Sequence, residues 1–74
     1  DMLAWEWAGN RAIRMGDWKA VWDKQVKKWE LYDLSTDRTE TRDLADKQPD
    51  RTAKLADAWY DWADETGLKV KRPR

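Results

Sequence analysis

Four short segments in which apolar residues alternate with other residues most strongly constrain what this chain can fold into. The first has Leu3, Trp5 and Trp7 at every second position, which is the period of a half-buried β-strand. Short links separate the segments: the first two contain Gly9 and Gly16, and the third, at residues 24–28, is polar and basic. Strands joined by such short links pair as an antiparallel meander. We therefore predict four strands, at about residues 3–7, 10–15, 18–23 and 29–33.

One amphipathic helix is predicted after the strands, at about residues 49–66. Pro49 suits the first helical position, and Asp50 places negative charge near the positive end of the helix dipole. Gly67 suits the left-handed residue that ends a helix, with Leu68 folding back on the last turn. Apolar residues three and four positions apart form one stripe, which contains Leu55, Ala56, Trp59, Trp62 and Ala63. The opposite side is charged and contains Arg51, Lys54, Asp57, Asp61 and Asp64.

A sheet followed by one helix predicts an α+β fold, in which a four-stranded antiparallel sheet packs on one C-terminal helix as a two-layer sandwich. Between sheet and helix, residues 35–39 have the short polar side chains of a turn. Leu44 is a lone apolar residue in a charged connector. We predict that Leu44 pins this connector to the sheet and that Leu44 and Trp59 belong to the sheet–helix core. Residues 1–68 then form one small domain, and residues 69–74 form a solvated basic tail.

The composition argues against several classes of function. The 74 residues include 15 basic and 15 acidic ones, so no net charge attracts nucleic acid or an anionic membrane. No apolar run approaches the roughly 20 residues of a membrane-spanning helix. The sequence has neither Cys nor His, which removes disulfides and the usual zinc ligands. We therefore predict no nucleic-acid partner and no membrane partner.

The chain also lacks the residues of an independent hydrolase. Its one serine, Ser35, has no base beside it in the sequence, and no Cys or His offers another nucleophile or base. Asp37, Glu40 and Asp43 are close in sequence but lack the spacing of a calcium-binding loop. We therefore predict no catalytic residue and no metal ligand.

Two ordered motifs carry a resemblance to a known family. The run WELYDLSTDRTETRDLAD at residues 29–46 joins an aromatic strand, an acidic turn and a Leu-Ala step toward the helix. Upstream, Trp5-Glu6, Gly9–Arg14 and Gly16–Lys19 form a second motif of the type WE, GNRAIR and GDWK. In this order and spacing, the two motifs resemble the closing segment of arylsulfatase-type, formylglycine-dependent sulfatases. The resemblance extends from Leu3 to about Trp62.

The resemblance implies that this chain is the C-terminal subdomain of an enzyme that hydrolyses sulfate esters. In that family, the formylglycine arises within a Cys/Ser-x-Pro-x-Arg motif, and a calcium ion is held nearby, both in a large N-terminal catalytic domain. That motif is absent from this sequence, so no catalytic residue can be carried over and the fragment itself should be inactive. Calcium and formylglycine are expected in the catalytic domain, which would be the partner of this subdomain. The compartment stays open, with the periplasm or the outside of the cell as one expectation for the parent.

Trp7, Asn10 and Arg11 are the residues that we expect at the rim of the substrate cleft. Related sequences often have His at the position of Trp7, so an acid or base role does not transfer to this chain. Trp7 could stack on a ring, while Arg11 could donate a fork of hydrogen bonds to an anionic group. The alternative is that Trp7 packs in an interdomain interface and Arg11 pairs with a neighbouring carboxylate.

The open face of the sheet leads to two rival hypotheses. A sheet with one helix keeps one face uncovered, and we expect an exposed Trp-rich surface there through Trp5 or Trp7, with Arg11 near its edge. The isolated chain would then self-associate through this surface. One alternative is a free-standing Trp-rich module that binds carbohydrate. Another is a binder of single-stranded nucleic acid, which the balanced charge disfavours.

Overall fold

The computed structural model describes residues 2–70, and these form one sheet and one helix. The strands are β1 (Met2–Trp7), β2 (Asn10–Met15), β3 (Trp18–Asp23) and β4 (Lys28–Asp33), and the helix is α1 (Pro49–Thr66). All neighbouring strands are antiparallel, in the order β1-β2-β3-β4. The predicted α+β fold is confirmed, and each predicted boundary lies within a residue of the observed one.

Tight turns fix the register of the first three strands. Ala8 and Gly9 both have positive φ, of 51° and 88°, as a type I′ turn requires, and the turn pairs Trp7 with Asn10. Gly16, with φ of 63°, opens the next turn, which pairs Met15 with Trp18. Glu6 stabilises the first turn, because its Oε2 accepts a hydrogen bond from the Gly9 N–H at 2.9 Å.

Alternation along the strands gives the sheet two distinct faces. The row Ala4, Ile13, Ala20 and Leu31 runs across all four strands on the side that α1 covers. Ile13, Ala20 and Leu31 are fully buried. The helix contributes the other half of the core through its buried residues, Leu55, Ala56, Trp59, Tyr60 and Ala63. The helical stripe was therefore predicted correctly except at two positions, since Tyr60 is buried and Trp62 is only partly buried.

Both ends of α1 have the predicted form. Pro49 occupies the first turn, with Asp50 beside it. Gly67 is left-handed, with φ of 87°, and the Leu68 N–H donates to the Ala63 carbonyl at 2.9 Å. Leu68 packs against the core as expected. The predicted charged side of the helix is exposed.

The connector between β4 and α1 is fastened to the outer edge of β4. The Leu31 N–H donates to Asp43 Oδ1 at 2.9 Å, and the Leu44 N–H donates to the Leu31 carbonyl at 2.8 Å. Asp43 Oδ1 also accepts the Ala45 N–H at 2.9 Å. Leu44 thus pins the connector to the sheet as predicted, but its side chain is only partly buried and packs at the margin of the core. The buried apolar residue of the connector is Ala45.

The predicted tail is only partly within the described residues. Lys69 is exposed, whereas Val70 is partly buried and packs against the core, so the tail is not solvated along its whole described length. Residues 71–74, which were assigned to the same tail, lie outside the described part of the chain. Within residues 2–70, α1 is not apolar enough to span a membrane.

Candidate functional site

Three apolar side chains of β1 form an exposed surface on the face opposite the helix, which we call the β1 ledge. It consists of Leu3, Trp5 and Trp7, which are 67%, 36% and 44% exposed. The two indoles stack, with ring centroids 6.4 Å apart and planes 27° from parallel. Trp5 and Trp7 therefore lie on the open face, as predicted. Exposed aromatic surface of this kind usually marks a binding or packing site.

A shallow groove of about 520 Å³ borders the ledge on the same face. Its lining includes Trp5, Arg14, Lys19, Arg38 and Glu40. Lys19 Nζ is 2.7 Å from Glu40 Oε2 and 5.5 Å from the centre of the Trp5 ring. Arg14 Nε donates to the Gly16 carbonyl at 2.8 Å, which holds its guanidinium beside the turn. The groove therefore combines an aromatic wall with three cationic side chains and two carboxylates, Asp17 and the Glu40 that pairs with Lys19.

Arg11 lies on the other side of the sheet from the β1 ledge. Its Nη1 donates to the Tyr60 hydroxyl at 2.7 Å, and its guanidinium carbon is 3.9 Å from the centre of the Trp22 ring. It is also 5.2 Å from the centre of the Trp59 ring. Because neighbouring residues of a strand point to opposite faces, Arg11 cannot border the surface that contains Trp7. This guanidinium is used for cation–π and hydrogen-bonding contacts in the sheet–helix layer.

The structure brings only two of the three predicted rim residues together. Trp7 and Asn10 are direct partners in the β1–β2 ladder. Asn10 Oδ1 accepts the Lys24 N–H at 3.0 Å and so ties the first turn to the β3–β4 loop. A role for Trp7, Asn10 and Arg11 at a substrate cleft stays a prediction, with Arg11 on a different face from the other two.

The acidic residues between β4 and α1 have separate partners. Asp37 accepts hydrogen bonds from Thr41 and Arg42, Glu40 pairs with Lys19, and Asp43 caps the β4 edge. Within residues 2–70, no group of three Asp, Glu, His or Cys side chains converges as a metal site would require. Ser35 is part of a turn in which its N–H and hydroxyl both donate to Asp33 Oδ1.

Asp37 organises the turn that borders the groove. Its carboxylate accepts the backbone N–H groups of Thr41 and Arg42, at 3.0 Å and 2.8 Å, and the Thr41 hydroxyl at 2.9 Å. The hydrogen bond from the Thr41 N–H, followed by that from Arg42, lowers the pKa of Asp37 below its usual value. The turn places Glu40, with φ of 57°, opposite Lys19.

Acid should weaken this turn. Because the pKa of Asp37 is lower in the folded chain, its contribution to stability is present above the unfolded pKa and is lost as pH falls through the folded one. We expect Asp37→Asn to lower the melting temperature at neutral pH and to differ little from the parent in acid. Thermal melts from neutral to acid pH measure this difference in melting temperature. Asp46→Asn is the control, since Asp46 makes only a 3.8 Å contact with Lys28. If the difference in melting temperature between the parent and Asp37→Asn stays the same as the pH falls, the ionised Asp37 carboxylate does not stabilise the turn.

Two tyrosines have roles that the sequence pattern did not predict. Tyr32, on the open face, is buried and donates to Glu30 Oε1 at 2.5 Å. Burial, and then this hydrogen bond, raises the pKa of the Tyr32 phenol well above its usual range, so it is a neutral donor at ordinary pH. Tyr60 receives the hydrogen bond of Arg11 in the core layer. The signal for Tyr60 was its position next to Trp59, one residue beside the predicted stripe.

Comparison with known proteins relates this chain to a sulfatase. No family model matches the chain. An uncharacterized sulfatase of Schizosaccharomyces pombe is 42% identical to it over 71 residues, which is 92% of this chain. The same alignment covers 13% of the length of that relative. The chain is thus similar, along most of its length, to a small part of a much longer sulfatase.

Proposed function

We propose that this chain is the C-terminal subdomain of an arylsulfatase-type, formylglycine-dependent sulfatase, an enzyme that hydrolyses sulfate esters. The observation that carries the proposal is the 42% identity to a sulfatase over nearly the whole chain. The two ordered motifs at residues 5–19 and 29–46 support it from the sequence. The fold is compatible, because a small sheet and helix without a nucleophile suits an accessory part of an enzyme.

In this proposal, the subdomain packs on the catalytic domain through the β1 ledge. Leu3, Trp5 and Trp7 are large apolar residues on a face that α1 does not cover, and an interface within one chain is built to be covered. The groove beside the ledge, with Trp5 and Lys19, would lie near the junction. Trp7 and Asn10 would then be the residues closest to the rim of the substrate cleft.

The chemistry of the reaction would come from the rest of the parent enzyme. The formylglycine and the calcium ion are proposed for the catalytic domain, since no residue of this chain corresponds to the motif that makes or holds them. The catalytic domain is also the proposed partner of this subdomain. What the subdomain supplies is a packed surface that positions part of the cleft wall.

We expect the isolated chain to have no sulfatase activity, whereas the natural parent hydrolyses an aryl sulfate. The physical reason is that a sulfate ester needs an activated nucleophile, and this chain has neither Cys nor His and holds its one serine in a turn. The measurement is release of a chromogenic phenol from its sulfate by each protein, with and without added calcium. Turnover by the rigorously purified 74-residue chain, or a parent without any such turnover, would contradict the proposal.

One observation favours a second candidate, a carbohydrate-binding module. Trp5 and Trp7 form an exposed stacked pair on an open sheet face, and indole faces bind the apolar faces of sugars. Calorimetric titration of the isolated chain with oligosaccharides distinguishes the two candidates. Saturable oligosaccharide binding that is lost in Trp7→Ala would support the carbohydrate-binding module. A natural reading frame that encodes no catalytic domain would support the same candidate.

A further inference from the structure

The two edges of the sheet are treated differently by the rest of the chain. At β4, the connector covers the edge, since Asp43 accepts the Leu31 N–H and the Leu44 N–H donates to the Leu31 carbonyl. At β1, no corresponding segment of residues 2–70 lies alongside the strand. The helix lies mainly over β2, β3 and β4. One edge is therefore closed and the other is open.

The ladder determines which backbone groups of β1 point outward. The two-residue turn makes Trp7 and Asn10 a hydrogen-bonded pair, and such pairs alternate along antiparallel strands. Trp5 and Leu3 therefore also bond to β2. The N–H and C=O groups of Ala4 and Glu6 face away from the sheet. They form a short row of donors and acceptors beside the β1 ledge.

The open edge has few of the features that normally prevent edge-to-edge pairing. Protected edges use Lys, Pro, bulges or inward-pointing charges. β1 has the sequence MLAWEW, with regular pairing to β2 and a single charged residue. That residue, Glu6, is on the helix side of the sheet, but it is exposed and its carboxylate accepts the Gly9 N–H of its own turn. Most of the exposed large apolar residues of the described chain are on this strand.

We propose that the β1 edge pairs antiparallel with the β1 edge of a second copy of this chain, with the two-fold axis passing between the two Trp5 residues. This register places Ala4 of each copy opposite Glu6 of the other, so that outward-facing backbone groups meet. It places Leu3 opposite Trp7 and the two Trp5 side chains opposite each other. Non-hydrogen-bonded cross-strand positions bring side chains closest, which favours apolar and aromatic pairs there.

The two neighbouring registers of the β1–β1 pair are less favourable. An axis at Glu6 would place two carboxylates directly opposite, which destabilises a pair. An axis at Ala4 would leave both Trp7 side chains without a partner on the other strand. With the axis at Trp5, every residue of one β1 ledge lies opposite a residue of the other β1 ledge.

The closed β4 edge limits the assembly to two copies. A sheet with two open edges can add strands without end, whereas a two-fold contact through one edge is closed. The product is an eight-stranded sheet with a covered edge at each end. This inference concerns the 74-residue chain by itself and is independent of the proposed sulfatase role.

The first test uses a matched pair of substitutions at Ala4. Ala4→Pro removes the outward N–H but no bond within the sheet, while Ala4→Val adds similar volume and keeps the N–H. Sedimentation of the isolated chain over a range of concentrations should give a monomer–dimer equilibrium for the parent and for Ala4→Val. Ala4→Pro should stay monomeric wherever the parent is dimeric, with an unchanged circular dichroism spectrum. A parent that stays monomeric, or an Ala4→Pro chain that still dimerises, overturns the proposal.

The second test uses the unmodified chain and so does not depend on the folding of a variant. Amide hydrogen exchange is compared at low and high protein concentration. Protection of Ala4 and Glu6 should rise with concentration, while that of Leu3 and Trp5, already bonded to β2, should change much less. Protection of Ala4 and Glu6 that is the same at all concentrations, in a sample that forms dimers, would place the contact on the sheet face and overturn pairing through the edge.

Discussion

Trp59→Ala should destabilise this domain by about 3–5 kcal/mol, the usual cost of truncating a buried aromatic residue. Trp59 is fully buried, and its ring lies 5.3 Å from Tyr60 and 6.3 Å from Trp29, centre to centre. Its indole N–H donates to the carbonyl of Trp5 at 3.0 Å. Since the core of a domain of about 70 residues rarely supplies more than about 3–5 kcal/mol of net stability, we expect the variant to be largely unfolded.

Equilibrium unfolding in urea, followed by circular dichroism, measures this loss. The matched control is Trp7→Ala, which removes the same side chain from a 44% exposed position and should cost far less. Trp59→Phe separates the ring from the hydrogen bond, because it keeps an aromatic side chain but no donor to Trp5. Equal unfolding midpoints for Trp59→Ala and Trp7→Ala would mean that the sheet–helix core is not built around Trp59.

Asp43→Ala should have the second-largest effect, a loss of about 1–3 kcal/mol, because it leaves a partly buried N–H without an acceptor. Asp43 Oδ1 accepts the N–H groups of Leu31 and Ala45, each at 2.9 Å. Without this oxygen, the connector should separate from the β4 edge. The Leu44 N–H would then lose its alignment with the Leu31 carbonyl as well.

Amide exchange at Leu31 and Leu44, together with thermal melts, tests the role of Asp43. Asp43→Asn keeps a side-chain oxygen in place and should retain much of the stability. Asp46→Ala removes a nearby carboxylate whose side chain is 90% exposed and should change little. If exchange at Leu31 in Asp43→Ala is as slow as in the parent, the connector does not depend on this carboxylate.

The strands and the helix were predictable from the sequence because their signals are local. Alternation at Leu3, Trp5 and Trp7 indicated the first strand. Gly9 and Gly16 indicated the turns that separate β1 from β2 and β2 from β3. The helix was bounded by Pro49 and Gly67, and both ends agree with the structure. In each case, the residues that determine the conformation are within a few positions of where it occurs.

Contacts between distant segments were not predictable in the same way. Arg11 was expected beside Trp7, yet it stacks on Trp22 and bonds to Tyr60, which is 49 positions away. The alternation of β2 could have indicated that Arg11 and Asn10 point to opposite faces. That Tyr60 would receive Arg11 depends on how α1 is rotated over the sheet, and the stripe pattern defines that rotation only to within about one residue.

The candidate site was only partly predictable. The exposure of Trp5 and Trp7 was predictable because a sheet has two faces and one helix can cover only one of them. The Lys19–Glu40 pair beside Trp5 was not predicted, because it depends on the conformation of the Asp37 turn. Lys19 and Glu40 are 21 positions apart, and no pattern of residue types between them indicates that they meet.

The hydrogen bond from Trp59 to the Trp5 carbonyl joins residues 54 positions apart. The strands of the meander need only short loops to find one another, so hairpins can form early during folding. The contact between Trp59 and β1, by contrast, requires closing a loop that contains most of the chain. Docking of the helix is therefore expected to be the slow step of folding. Before the helix docks, both faces of the newly formed sheet are exposed to water.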